Sequence, residues 1–286
     1  MNELKRVLVV GAGTMGSQIA LQTALSGRHD VTLVDSMPEQ LERARAQNQK
    51  LLDRSVEKGR LTDHAAADAL ARISDSSDLK SAAATADLVI EAVIEDFDAK
   101  REVFEALGKH AQKDAILASN SSTIAISRLA DFTGRPDHCC NMHFFHPVTV
   151  MQLCEVVRGP KTSDVTISAA MDFVRSIDRT PVLLQKEIWG FIVNRILFAA
   201  SEEAMRLLEG GYASAEDIDV AVQKGLNWPM GPFHLLDFSG LDIFYGAMKD
   251  RHRQGEGSDA PELLRKLVED GHLGRKTGTG FFDYPK

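Results

Sequence analysis

One turn constrains this chain more than any other feature: Gly11-Ala12-Gly13-Thr14-Met15-Gly16, set between the apolar run Arg6–Val10 and an Ala- and Leu-rich helical pattern from Thr14 to Ser26. A GxGxxG alone says little. Here a strand signal precedes it, a helix signal follows, and a second strand, Val31–Val34, ends at an acid, Asp35. In that setting Gly11 permits the tight turn, Gly13 lets the main chain approach a pyrophosphate, and Gly16 brings helix against strand. The unpaired amides and positive end of the helix then receive the phosphates. Asp35 is expected to accept both ribose hydroxyls of an adenosine. It would repel a 2′-phosphate, and Ser36-Met37 supplies no Arg to counter that, so NAD is expected rather than NADP.

The rest of the first two thirds extends the same pattern. Pro38 suits the first turn of a charged helix running to about Lys58. Leu88–Val93, Ala115–Ala118 and Asn141–Phe145 repeat the strand signal at helix-length intervals, which specifies a parallel sheet with helices on both faces. Beyond about Lys186 the pattern changes. Residues Ile188 to Leu208 are apolar on nearly all sides, as in a helix buried in a core or between subunits. Gly210-Gly211 ends that run, and further helices are expected near 214–224, 232–253 and 261–270. The expected architecture is α/β: a Rossmann-type doubly wound sheet domain over 1–186, then an all-helical C-terminal domain over 187–286 for substrate binding and dimerisation.

Composition excludes several classes. With 44% apolar and 26% charged residues, the chain has the balance of a soluble globular protein. Its apolar stretches are broken by charge well short of a membrane span, so no membrane is expected. A strand-like run from Leu4 leaves no room for a signal or transit peptide. Cys139, Cys140 and Cys154 form no metal-ligand spacing and read as reduced, buried thiols, so no metal and a cytoplasmic setting are expected. A formal charge of −8 argues against nucleic acid as a partner.

The chemistry is expected at Asn141-Met142-His143-Phe144-Phe145-His146-Pro147, where two histidines lie among aromatics at a strand end. Open α/β sheets place ligand sites at the carboxyl ends of strands. A second run, Met151–Val157, carries Glu155 in apolar surroundings, where an acid is costly unless paired. Pairing with His143 would remove that cost and fix the imidazole tautomer. Taking a hydride from a secondary alcohol needs a base for the hydroxyl proton, and a carboxylate-oriented His suits that task.

These segments together resemble the L-3-hydroxyacyl-CoA dehydrogenases, short-chain 3-hydroxybutyryl-CoA members in particular. The resemblance rests on GAGTMG at 11–16, EAVIED at 91–96, SNSST at 119–123, HFFHPVTVMQLCEVV at 143–157, GFIVNR at 190–195, GPFHLLDFSGLD at 231–242 and GRKTGTGFFDY at 274–284. It implies reversible oxidation of an (S)-3-hydroxyacyl-CoA to the 3-oxoacyl-CoA with NAD. His143 would be the base, Glu155 its orienting acid, and Ser122 and Asn194 polar groups at the reacting oxygen. Thr14, Met15, Ala92, Glu95, Lys100 and Ser122 would line the cofactor. A homodimer is implied as well. His146 stands where such proteins commonly carry Asn or another small polar residue near the nicotinamide, and so departs from the pattern. On their own, Ser122 reads equally as a helix cap, and Asn194 as a packing amide.

Coenzyme A carries several phosphate charges, so an acidic protein must receive them locally. Lys50, Arg54 and Lys58 recur every four residues and share one helix face, clear of Glu39, Glu42, Asp53 and Glu57. That stripe is a candidate nucleotide contact, by resemblance centred on Lys58; the alternative is a solvated face. Two other readings of the whole chain remain: a hydroxyacid or sugar-acid dehydrogenase that does not use CoA, and a non-enzymatic dinucleotide-binding protein.

Overall fold

The computed structural model describes residues 4–284, and they divide into two compact units, 4–191 and 192–284. The first unit is built on one eight-stranded sheet. In chain order it comprises β1 (Arg6–Val10), α1 (Thr14–Leu25), β2 (Asp30–Val34), α2 (Pro38–Glu57), α3 (Asp63–Ala71), β3 (Ile73–Ser76) and α4 (Leu79–Ala83). There follow β4 (Leu88–Glu91), α5 (Phe97–His110), β5 (Ile116–Ser119), the single turn α6 (Ser127–Ala130), β6 (Cys139–Phe144), β7 (Leu153–Val157), α7 (Asp164–Ser176) and β8 (Thr180–Leu184).

The strand order is β3-β2-β1-β4-β5-β6-β7-β8. Neighbours from β3 to β6 are parallel, as expected from alternating strand and helix signals. The central strands are buried on both faces, which is why β1 and β4 read as continuous apolar runs rather than alternations. Two layers of core result. Val7, Val9, Ile90, Met142 and Val156 pack on one face with Ile19 of α1 and Phe173 of α7. Leu8, Val10, Val89 and Leu117 pack on the other with Phe104 and Leu107 of α5.

The expectation of a parallel sheet fails at β7, which runs antiparallel to β6, with β8 parallel to β7. The reason is chain length. Only residues 145–152 join β6 to β7, and a parallel return needs a crossover of about a dozen residues or more.

Local signals set the helix ends. Pro38 sits at the start of α2, whose inner stripe is Leu41, Ala44, Asn48 and Leu52. Asp96 caps α5 by accepting the Ala99 N–H, and Ser163 caps α7 through Thr166 N–H. All three cysteines are free and buried; burial pushes the Cys139 thiol up to about 11 and raises Cys140 and Cys154 too.

The second unit contains α8 (Val193–Glu209), α9 (Ala215–Leu226), α10 (Pro232–Ser239), α11 (Leu241–Arg253) and α12 (Glu262–Glu269). Two expectations are corrected here. The apolar run from Ile188 begins as a turn, with Phe191 at φ 50°, and the helix itself is amphipathic: Phe198, Ala204 and Met205 are buried, while Ile196, Glu203 and Arg206 face outward. The single helix expected over 232–253 is broken at Gly240, which has φ 99°. Around that break Asp237, buried, accepts the N–H groups of Phe281 and Phe282 and the hydroxyl of Tyr284. The C-terminal GRKTGTGFFDY motif thereby closes on α10. Among the described residues no helix is long and apolar enough to cross a membrane.

Candidate active site

The glycine turn sits where the strand order reverses, between β1 and β4, with the carboxyl ends of both strands beside it. Gly11 has φ 103°, and a side chain there would meet the Ala92 carbonyl at 2.7 Å; at Gly16 it would meet the Gly11 carbonyl at 1.8 Å. Both positions therefore exclude a Cβ for reasons internal to the fold. Gly13 differs. A Cβ there would meet nothing within 4 Å, and the residue heads α1 without any side-chain cap. The first-turn amides of Thr14, Met15 and Gly16 thus have no intrahelical partner, and Gly13 and Thr14 are exposed. This bare main chain at a positive helix end suits an anion.

A groove of about 520 Å³ runs from this turn. Gly11, Gly13, Asp35, Met37, Ala92 and Ile94 are among its walls. Asp35 Oδ2 accepts the Ala12 N–H at 2.8 Å and Oδ1 the Met37 N–H at 3.0 Å, so the carboxylate holds the turn while bordering the groove. An adenosine ribose fits beside it, and the pyrophosphate fits the uncapped helix. The residues present therefore match a dinucleotide.

A buried polar cluster lies at the end of β4. Glu91, fully buried, accepts from Lys100 Nζ at 2.7 Å, Ser119 Oγ at 2.7 Å and the Val93 N–H at 2.8 Å. Lys100, 1% exposed, also pairs with Glu95 Oε2 at 3.2 Å. Glu95 Oε1 in turn accepts from the Ser121 hydroxyl, the Thr123 hydroxyl at 2.9 Å, and the N–H groups of Ser122 and Thr123 at 3.1 and 3.2 Å. Burial works against its charge, but Lys100 and the two hydroxyls hold the Glu95 carboxyl below its usual value. Lys100 therefore supports Glu95 from beneath and is not a wall of the groove. Ser122 caps no helix: α6 begins only at Ser127 without a side-chain cap, and it is the Ser121 Oγ that closes the turn here by accepting the Ile124 N–H at 2.7 Å. The Ser122 side chain is half-buried and takes no part in that network.

The reversal of β7 builds the second half of the site. In the antiparallel register His143 lies directly opposite Glu155. Alternation sends Met142, Phe144, Cys154 and Val156 into the apolar core and leaves Asn141, His143 and Glu155 on the other face. His143 Nδ1 is 2.8 Å from Glu155 Oε2, with Glu155 fully buried and the His143 side chain 8% exposed. The rings of Phe145 and Phe191 lie 4.4 and 5.6 Å from the imidazole. An ionised carboxylate only accepts, so Nδ1 carries the proton and Nε2 keeps its lone pair. Asn120 ties this strand end to the loop after β5, accepting the Phe144 N–H at 2.9 Å.

The structure thus brings together, in the first unit, the glycine turn, Asp35 and Ala92, then Glu95 with Lys100 and Ser122, and His143 with Glu155. Asn194 is half-buried in the first turn of α8, in the second unit. Lys50, Arg54 and Lys58 are exposed along α2 and over its C-terminal cap. Sequence reasoning missed Glu91, Ser121 and Asn120. Glu91 carried the same signal that flagged Glu155, an acid closing an apolar strand.

Two family models match nearly the whole chain: 3-hydroxyacyl-CoA dehydrogenase, NAD binding domain, over residues 6–188, and 3-hydroxyacyl-CoA dehydrogenase, C-terminal domain, over residues 190–284. A probable 3-hydroxybutyryl-CoA dehydrogenase of Deinococcus radiodurans is 43% identical over 279 residues, covering 96% of this chain and 99% of the relative. The 3-hydroxybutyryl-CoA dehydrogenase of Clostridioides difficile is 40% identical over 286 residues, covering 98% and 100%. Among solved structures, an (S)-3-hydroxybutyryl-CoA dehydrogenase from Ralstonia eutropha is similar with a TM-score of 0.94 at 38% identity, covering 99% of this chain and 100% of that one.

The Glu91–Lys100 pair yields a stability prediction. Lys100→Met removes the ammonium and strands a buried carboxylate, so unfolding free energy in urea should fall by about 3 kcal/mol. A loss below roughly 1 kcal/mol, the range of exposed pairs, would show that the cluster tolerates an unpaired acid.

Proposed function

The chain belongs to the 3-hydroxyacyl-CoA dehydrogenase family, and from that premise we propose how its residues divide the work. It is an NAD-dependent enzyme that reversibly oxidises an (S)-3-hydroxyacyl-CoA to the 3-oxoacyl-CoA. The names of its relatives favour the four-carbon thioester, 3-hydroxybutyryl-CoA. When bound, NAD supplies the hydride acceptor. The adenosine ribose is assigned to Asp35, the pyrophosphate to the amides of Gly13 to Gly16, and the remaining walls to Ala92, Glu95 and Ser122.

The observation that carries the reading is the buried contact between His143 Nδ1 and Glu155 Oε2. His143 Nε2 takes the hydroxyl proton as the alcohol is oxidised, and Glu155 stabilises the imidazolium that forms. In reduction the same nitrogen returns the proton. The Ser122 hydroxyl donates to the reacting oxygen, where negative charge develops. His143→Gln should abolish turnover and leave NADH binding nearly unchanged. Glu155→Gln should lower kcat by ~10²-fold or more through lost orientation and charge stabilisation. Substantial turnover by His143→Gln, measured as NADH oxidation with acetoacetyl-CoA, would end this assignment.

The stripe Lys50, Arg54 and Lys58 receives the phosphates of the CoA nucleotide in this reading. Lys58→Ala or Arg54→Ala should raise KM for acetoacetyl-CoA several-fold, and the effect should fade with salt. The N-acetylcysteamine thioester lacks those phosphates, so its KM should not move. Equal losses on both substrates, or none, would make the stripe a solvated face.

The second unit exposes Ile196, Val220, Leu226, Phe238 and Ile243, more apolar surface than a small helical unit usually leaves in water. This favours a homodimer formed through that unit. Light scattering at micromolar concentration should give twice 31.4 kDa, whereas a clean monomer would contradict it. Three unbridged, buried thiols suit a reducing compartment, in keeping with a cytoplasmic enzyme.

A further inference from the structure

The proposed dyad has no use for the second histidine of the HFFHP segment, yet His146 is not left unrestrained. It is exposed, and its Nε2 lies 3.3 Å from Nε2 of Gln18, a buried side chain on α1. Two nitrogens at that distance must be one donor and one acceptor, and a third group settles which. Gln18 Oε1 accepts the main-chain N–H of Val148 at 2.8 Å. A main-chain N–H only donates, so the carboxamide cannot be turned over, and its NH2 end is the one that meets the ring. His146 Nε2 is therefore the acceptor, and the ring's proton sits on Nδ1.

The loop is held firmly enough for this to matter. The Val148 carbonyl accepts from Arg179 Nε at 3.0 Å, Arg179 also donates to Gln22 Oε1 at 2.5 Å, and Gln22 Nε2 donates to the Ile177 carbonyl at 2.8 Å. Gln18 and Gln22 lie one turn apart on a helix whose neighbouring inner side chains, Ile19, Ala20 and Leu21, are apolar. Buried carboxamides in such a helix are costly unless satisfied. Both are satisfied by this loop and the segment beside it. Helix α1 thus presents its amides to a dinucleotide at one end and clamps the loop after β6 one turn later.

We propose that Gln18 is a positioning residue for the cofactor: it fixes His146 as the Nδ1–H tautomer, so that the ring offers a hydrogen-bond donor to the nicotinamide carboxamide oxygen. The inference rests on the NAD reading above. A dinucleotide with its pyrophosphate at the start of α1 and its reactive ring beside His143 must cross the space between them. His146 stands there, three residues past His143 and tethered one turn past Thr14. The oxygen acceptors available in that half of the molecule are those of the carboxamide and its ribose.

Two measurements test this, and the first needs no cofactor. Long-range 1H–15N correlation spectra of the 15N-histidine-labelled enzyme at mildly alkaline pH should show His146, identified by its loss in His146→Ala, as the Nδ1–H tautomer. The Nε2–H tautomer would overturn the proposal. The second compares NADH with ADP-ribose, which lacks the nicotinamide. Gln18→Glu keeps the acceptor for Val148 but replaces the donor facing His146 with a second acceptor, which reverses the tautomer. It should weaken NADH binding about tenfold, the worth of one well-made hydrogen bond, and leave ADP-ribose binding unchanged. His146→Ala should weaken NADH alone to a similar extent, and Gln18→Glu should add nothing to it. Unchanged NADH binding in His146→Ala, or equal losses for both ligands, would reduce Gln18 to a loop clamp. If Gln18→Glu fails to fold, the tautomer in the wild type and the His146→Ala ratio still decide. Failure of the NAD reading itself would appear differently, as no ADP-ribose binding by the wild type.

Discussion

A carboxylate with no exposure to water must find a proton donor inside the protein, and Glu155 finds it on the opposite strand. That requirement organises one side of the first unit. Glu155 and His143 share a face only because β7 runs antiparallel to β6 in a register that sets them opposite each other. A slip of β7 by one residue would carry Glu155 to the apolar face beside Met142 and take Val156 out of the core. The same contact selects the imidazole tautomer, so fold and acid–base chemistry are fixed by one hydrogen bond. The short return between the strands is held in turn by Gln18 and Arg179, which take the two polar groups of Val148.

The end of β4 solves the same problem with different groups. Glu91 is as deeply buried as Glu155 and is met by Lys100, Ser119 and a main-chain N–H. Lys100 extends that pairing to Glu95, which gathers the loop at residues 121–123. The carboxyl edge of the sheet therefore carries two satisfied polar clusters and, at α1, one helix end left unsatisfied. The contrast locates the anion site. The carboxylates of those clusters have partners within the protein, and the first-turn amides of Thr14, Met15 and Gly16 have no intrahelical one.

Much of this was legible in the sequence where a residue broke its local pattern. The glycines of the first turn, Asp35 after β2 and Glu155 within an apolar strand were each conspicuous; Gly11, Gly13 and Asp35 border one groove, and Glu155 meets His143. The strands that escaped notice are the two edges of the sheet. Ile73–Ser76 is mostly polar because one side of it has no neighbouring strand, and Thr180–Leu184 carries Pro181, which an edge tolerates. Reversal of β7 could have been read from the eight residues available to reach it. The Gly240 break could not, because an isolated glycine in an apolar helical pattern signals tolerance as readily as interruption. Glu91 could have been read by the signal that exposed Glu155, but the role of Gln18 depends on a partner 130 residues away, and no local pattern announces such a pairing.

The central claim is that one imidazole serves as base in oxidation and acid in reduction, and pH profiles in both directions test it most directly. The reaction releases a proton, so the ratio of forward to reverse kcat/KM must change with pH whatever the mechanism. How the change is shared between directions is diagnostic. With His143 as the exchanging group, kcat/KM for the hydroxyacyl-CoA rises with pH and bends to a plateau once the ring is neutral. For the oxoacyl-CoA it is flat at low pH and falls once the ring has lost its proton. A reduction rate independent of pH, with an oxidation rate that climbs without bending, would contradict the account, because the proton would then come from solvent and not from His143.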